Sequence, residues 1–142
     1  MIPNNVTKFG AASILAAALR NAVPTFWVGL VDGVPDANLL IENLQEPAFT
    51  NGYARIQITR DAGGWPVSGE VNGEPFLESD WLTWAAVGGN FSKSIRRMMI
   101  VTDSVATTGN VFALSAALPA LRQITPTTAE ANRKFKYRLY LR

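Results

Sequence analysis

Few residues in this chain could do chemistry, and their types narrow the field. The 142 residues include no histidine and no cysteine. The commonest general base and metal ligand is therefore missing, as is every thiol. Ser-His, Cys-His and histidine–zinc sites are excluded outright. The carboxylates that cluster are Glu70, Glu74, Glu78 and Asp80. Glycoside hydrolysis needs two acids roughly 5–9 Å apart, and Ca²⁺ needs several oxygen ligands. These four acids lie among Gly63, Gly64, Pro66, Gly69, Gly73 and Pro75, with no regular ligand spacing and no aromatic pocket definable around them. Solvated loop acids describe them better, and a small glycan hydrolase is the remotest reading. Gly63-Gly64 and Gly88-Gly89 lack the following helix that a phosphate-binding loop requires. The expectation is a chain that is not an enzyme and holds no cofactor or metal.

The basic residues are more informative. Net charge is +2 with a pI near 9.2. Over residues 126–142, however, Arg133, Lys134, Lys136, Arg138 and Arg142 face Glu130 alone, a net of +4, which leaves −2 for the rest. A basic end on a mildly acidic body suits docking on an acidic surface, although a solvated strand face is an equally plain reading. The stretch mixes cations with aromatics, as a single-strand nucleic-acid platform does. Phe135 and Tyr137 alternate onto the face opposite the charges, leaving only Tyr140 beside them, so a nucleic-acid partner is not expected. Trp65, Trp81 and Trp84 flank the 61–80 segment, where they could line a sugar site or simply form local core. Arg96 and Arg97 precede an apolar strand and could pair with acids on a neighbour.

The elements that must position these residues are short. Apolar residues make up 48% of the chain and charged residues 17%. That is enough to bury one core, with fewer charges than the roughly 25% usual for a free-standing monomer. Residues 1–10, with Asn4 and Asn5, read as an extended arm, and Thr7 or Gly10 could begin a helix. Ala11 to Asn21 reads as a short amphipathic helix with Ile14, Leu15, Ala18 and Leu19 on one side; Pro24 prevents its continuation. The apolar run from Ala11 to Leu19 is too short to span a bilayer, and neither a membrane partner nor an export signal is expected. Phe26 to Val31 reads as a core strand. Asp36 is a candidate cap for a small helix over Ala37–Leu44.

Asn51-Gly52 opens a strand over Tyr53–Ile58, in which Tyr53, Arg55 and Gln57 form a wet face against Ala54, Ile56 and Ile58. Asn72-Gly73 can turn a small hairpin inside the acidic loop. Trp81–Val87 alternates with Leu82, Trp84 and Ala86 inward. Ser94–Val101 and Val111–Ala117 read as a strand pair around the turn at Thr107–Asn110, and Leu121–Thr125 as a short strand stopped by Pro126. Phe135, Tyr137, Leu139 and Leu141 alternate with Lys136, Arg138, Tyr140 and Arg142 in the cleanest period-two signal of the chain. The pattern predicts a mainly β, single antiparallel β-sandwich or jelly-roll-like domain over 11–142, with a short N-terminal helix and a small helical insert.

The order of elements resembles a group of tailed-bacteriophage virion structural proteins. The residues that carry the likeness are the helix before Phe26-Trp27-Val28-Gly29-Leu30-Val31, the Gly52-Tyr53-Ala54-Arg55 strand, Phe91 to Val101, Thr108-Gly109-Asn110, and the strand from Val111 to Leu118. They cover roughly residues 11–125; the 61–80 loop and the basic last strand depart from the pattern. The resemblance implies a structural part of the virion, assembled in the host cytoplasm, with no catalytic residues. On that basis the expected role is a capsid decoration (cement) protein that clamps neighbouring major capsid subunits as a homo-oligomer, a trimer being favoured. Its expected contacts are Asn4, Asn5, Trp65, Arg96, Arg97, Arg133, Lys134, Lys136, Arg138, Tyr140 and Arg142. The alternative is a tail-fibre or receptor-binding module contacting host glycans.

Overall fold

In the computed structural model, the described residues are 6–20, 24–32 and 39–140. The architecture follows from two strands that are apolar on both faces. Phe26–Val31 (β1) and Arg97–Val101 (β6) pair antiparallel at the centre of a four-stranded sheet. The sheet is completed by Ile56–Ile58 (β2) beside β1 and Ala113–Leu114 (β7) beside β6. Alternation along β1 and β6 sends Val28, Leu30, Met98 and Ile100 to one side, where they meet Leu82, Trp84, Phe135 and Tyr137. Val31, Met99 and Val101 go to the other side, against Leu39, Ile41 and Leu44. Burial on both faces is the reason these strands read as near-continuous apolar runs.

The second layer is made of two small antiparallel sheets. Val67–Val71 (β3) and Glu74–Glu78 (β4) form a hairpin to which Arg138–Tyr140 (β9) adds on the β4 side. Leu82–Thr83 (β5) pairs with Lys134–Phe135 (β8). The fold is therefore mainly β, sandwich-like, with one short helix, Lys8–Arg20 (α1). The hairpin turns at Asn72-Gly73, with φ of 52° and 82°. These are the paired positive values of a type I′ turn, which Asn-Gly adopts at low cost.

Several expectations change. α1 starts at Lys8 rather than Ala11, and of the two expected starts it is Thr7 that caps it, its hydroxyl accepting the Gly10 N–H at 2.9 Å. Of its expected apolar face, Ile14 is 40% exposed, and the side chains of Leu15, Ala18 and Leu19 lie outside the described residues, as do Asn21 and Asp36. Of the helix expected over Ala37–Leu44, Ala37 and Asn38 lie outside the described residues, and the rest holds a single 3-10 turn, Ile41–Asn43. Leu39 at φ 44° and an extended Leu40 keep those two residues out of the helix. No strand forms over Leu121–Thr125. Arg122 makes only an isolated bridge to Ile95, although Ile124 is fully buried. The strand expected at Tyr53 joins the ladder only at Ile56, and its expected wet face is exposed only at Gln57: Tyr53 and Arg55 are 3% and 4% exposed, while Ala54, expected inward, is exposed.

Candidate docking surface

The basic C-terminal stretch is split between two sheets by an irregularity in the strand facing it. From Glu78 to Leu82 one strand advances four residues, while its partner advances three, from Arg138 to Phe135. The extra residue is a β-bulge at Ser79-Asp80. Ser79 donates its N–H to the Tyr137 carbonyl, and its hydroxyl accepts the Tyr137 N–H, both at 2.8 Å. A side-chain oxygen thus replaces the ladder carbonyl that the bulge displaces. Ser79 and Tyr137 are both fully buried, so neither group has water as an alternative.

The bulge changes which residues meet on the outer face. Carrying the Leu82–Phe135 register outward sets Trp81 opposite Lys136 and diagonal to Lys134. The Nζ atoms of Lys134 and Lys136 lie 4.5 Å and 4.7 Å from the Trp81 ring centroid, and Trp81 is 50% exposed. Past the bulge, the Arg138 guanidinium lies 4.2 Å from the Phe76 centroid, and Phe76 lies 5.6 Å from the Tyr140 ring. Arg138 also donates to Glu78 at 2.9 Å and 3.1 Å. The sequence expectation that only Tyr140 shares the charged face is corrected: the neighbouring strand supplies Trp81 and Phe76 there. The strip carries cations and rings in alternation, and among the described residues neither lysine has a carboxylate partner.

The other expected contact residues do not all join it. Arg133 donates to the Trp84 carbonyl at 3.1 Å, tying the β8 end of the strip to the core. Trp84 is buried, and Trp65 is half-buried edge-on to Tyr137 at 6.5 Å. Trp65 lines an apolar cleft of about 700 Å³ with Ile14, Phe26, Leu77 and Leu139. The three tryptophans thus do not form one platform. Arg97 is the first residue of β6 and donates to the Ser115 carbonyl at 3.1 Å. Burial, and next the charge of Arg96, lowers its pKa from the ordinary arginine value. Arg96 and Arg97 belong to the four-stranded layer, away from the strip. Asn4, Asn5 and Arg142 lie outside the described residues. Of the four acids, Glu70 falls on the face of the hairpin opposite Glu74 and Glu78, and Glu78 is held by Arg138. The last strand of the domain thus shares its charges with the hairpin rather than opposing a cluster.

A second constellation had no signal in the local pattern. The Glu46 carboxylate accepts from the Tyr53 hydroxyl at 2.5 Å and from Arg55, and the same hydroxyl accepts the Leu30 N–H at 2.9 Å. Burial, and next the Glu46 charge, pushes the Tyr53 pKa far up. Gly52, at φ 85°, has the Ala85 carbonyl only 2.7 Å from where a Cβ would sit. Tyr53 and Arg55 of the Gly-Tyr-Ala-Arg motif therefore clip the Glu46 loop onto β1 rather than facing outward, while Gly52 lets the Ala85 backbone approach. Glu46 lies nine residues before Arg55, beyond any strand or helix periodicity that could have flagged the pair.

Among the described residues, no helix is long and apolar enough to cross a membrane. Comparisons with protein-family models, curated proteins and solved structures return no match to the chain.

Proposed function

We propose that this chain is a structural protein of a tailed-bacteriophage virion. In this reading it is a capsid decoration protein that clamps adjoining major capsid subunits together with copies of itself, and it has no catalytic role. The observation that carries the reading is the outer strip of Lys134, Trp81 and Lys136. Two ammonium groups, without carboxylate partners among the described residues, lie against a half-exposed ring at the end of the short β5–β8 ladder. Tryptophan at the centre of a patch is a strong anchor once covered, and the lysines steer it to an acidic partner surface. The order of elements supports the virion assignment. The motif that carries the resemblance fixes the scaffold, as a structural part requires.

The test is cosedimentation of the protein with emptied capsids across a salt series. Saturation at a fixed copy number per shell, weakened by salt and lost in Lys134→Glu/Lys136→Glu, is the expected result. Binding to isolated tails and not to shells would overturn it in favour of the tail-fibre reading. In that case the exposed face of Trp81 and the half-buried Trp65 in its cleft would be the tryptophan surfaces available to a host glycan, Trp84 being buried.

A further inference from the structure

β3 ends the order β3-β4-β9, and no described strand lies beyond it. Among the described residues it is the longest edge strand: β2 and β9 have three residues, and β5, β7 and β8 have two. Native edges are blunted by shortness, lysine, proline or cover, and β9 carries Arg138. Val67–Val71 has no basic residue and no proline, and all five residues are exposed. Val67 and Val71 stand 41% and 40% open to solvent on the same face.

The hairpin geometry fixes which backbone groups this edge offers. A two-residue I′ turn closes on a hydrogen-bonded pair, here Val71–Glu74. Alternation then makes Gly69–Phe76 and Val67–Glu78 hydrogen-bonded pairs, and Ser68–Leu77 and Glu70–Pro75 non-bonded ones. The N–H and C=O of Ser68 and Glu70 therefore point away from β4. Pro75 loses nothing towards β3, which is why a proline is tolerated in β4.

From this pattern we infer that β3 pairs antiparallel with β3 of a second copy about a two-fold axis at Gly69. That register sets Ser68 opposite Glu70 of the second copy, so the outward groups of each meet those of the other. Val67 faces Val71 of the second copy and the reverse, giving apolar cross-strand pairs. Gly69 faces Gly69. The Phe76 ring already covers Gly69, with its Cζ 2.8 Å from where a Cβ would sit, so the two rings flank the glycine pair. The neighbouring symmetric registers fit worse. Centring on Glu70 sets like charges opposite each other, and centring on Ser68 draws Pro66 into the pairing.

The axis is perpendicular to the sheet, so both copies present the same face. The joined sheet then presents the Phe76 and Arg138 face of both copies on one side. This inference is independent of the capsid reading, since it concerns the chain's pairing with itself in solution.

Sedimentation equilibrium on the full chain, with cysteine cross-linking, tests it. The wild type is expected to dimerise. Ser68→Pro removes only an outward N–H, so it should keep the far-UV spectrum and weaken dimerisation by at least about tenfold. Because the chain lacks cysteine, Val67→Cys and Val71→Cys are clean probes. Oxidising a mixture of the two variants should give a disulfide heterodimer. Neither variant alone should cross-link, its thiols lying about 13 Å apart in this register. A wild-type monomer at every concentration would overturn the inference. So would a dimer indifferent to Ser68→Pro, or cross-linking of either single variant as efficient as that of the mixture.

Discussion

Arg55 meets Glu46 through two parallel contacts, Nε at 2.9 Å and Nη2 at 2.7 Å, with the guanidinium wholly withdrawn from solvent. Nη1 and Nη2 donate further to the Asp103 and Ala106 carbonyls at 2.8 Å and 2.6 Å. The pair therefore joins three loops. Each charge is compensated only while the other remains. Arg55→Leu should cost about 3–5 kcal/mol, because it strands a carboxylate and two carbonyls. Arg55→Lys should recover only part of that, since an ammonium cannot reproduce the fork. Urea unfolding of the two variants measures both, and a loss under 1 kcal/mol for Arg55→Leu would contradict this account.

Tyr53 and Tyr137 are both buried but should respond oppositely to loss of the hydroxyl. The Tyr53 hydroxyl bridges Leu30 and Glu46, so Tyr53→Phe leaves an N–H and a carboxylate short and should cost about 1–3 kcal/mol. The Tyr137 hydroxyl has no hydrogen-bond partner among the described residues. Tyr137→Phe should be neutral or stabilising by up to about 1 kcal/mol.

The same two phenols set an alkaline limit. Burial raises both folded-state pKa values above the ordinary 10, with the Glu46 charge and hydrogen bond adding to the effect at Tyr53. Below pH 10 the folded and unfolded chains hold these protons alike, and the full stabilisation is present. Above it the unfolded chain releases them and the folded chain does not. Stability should therefore fall by about 1.4 kcal/mol per pH unit for each phenol until the folded pKa is passed. Unfolding free energies between pH 9 and 11.5 check this, and the slope should be roughly halved in Tyr137→Phe.

How far these features could be read from the chain depends on whether their cause is local. The apolar runs of β1 and β6 reveal two-sided burial directly, and Asn72-Gly73 specifies its turn by itself. Leu82, Trp84 and Ala86 point inward as their alternation predicts, even though only Leu82–Thr83 is laddered. Tyr53 and Arg55 mislead for a physical reason. Period-two logic assigns polar residues outward, but here Glu46 pays the desolvation of both from a distant loop. The C-terminal alternation is continuous in sequence and survives over residues 135–140, Leu141 and Arg142 lying outside the described residues. Its division between two sheets comes from one extra residue in the facing strand, and the aromatics that complete the strip arrive with that strand.

Gly29 illustrates a position whose constraint is spatial. A Cβ there would lie 2.7 Å from a Glu46 carboxylate oxygen, 2.9 Å from the Met99 methyl and 3.1 Å from the Tyr53 hydroxyl. Gly29→Ala should push the clip off β1 and cost about 1–3 kcal/mol. In the Tyr53→Phe background the cost should be smaller, because one of the obstructing atoms is gone. A double-mutant cycle that proved additive would show that the glycine does not serve the clip.

Ser79 links the core to the exposed strip, so its loss should be felt at both. Ser79→Ala removes the acceptor of the buried Tyr137 N–H. The unpaired amide should cost about 1–3 kcal/mol, and its hydrogen exchange should accelerate relative to the β1 amides. The second effect is geometric. The bulge aligns Trp81 with Lys134 and Lys136, and the serine stabilises the bulge. Ser79→Ala should therefore shift Trp81 fluorescence and weaken any salt-sensitive docking through the strip, with every charge and ring still present. Trp81→Ala should instead abolish docking while changing stability by no more than about 1 kcal/mol, the value of cation–π contacts at an exposed site. If Ser79→Ala lowered stability but left Trp81 emission and docking untouched, the bulge would be a folding device alone.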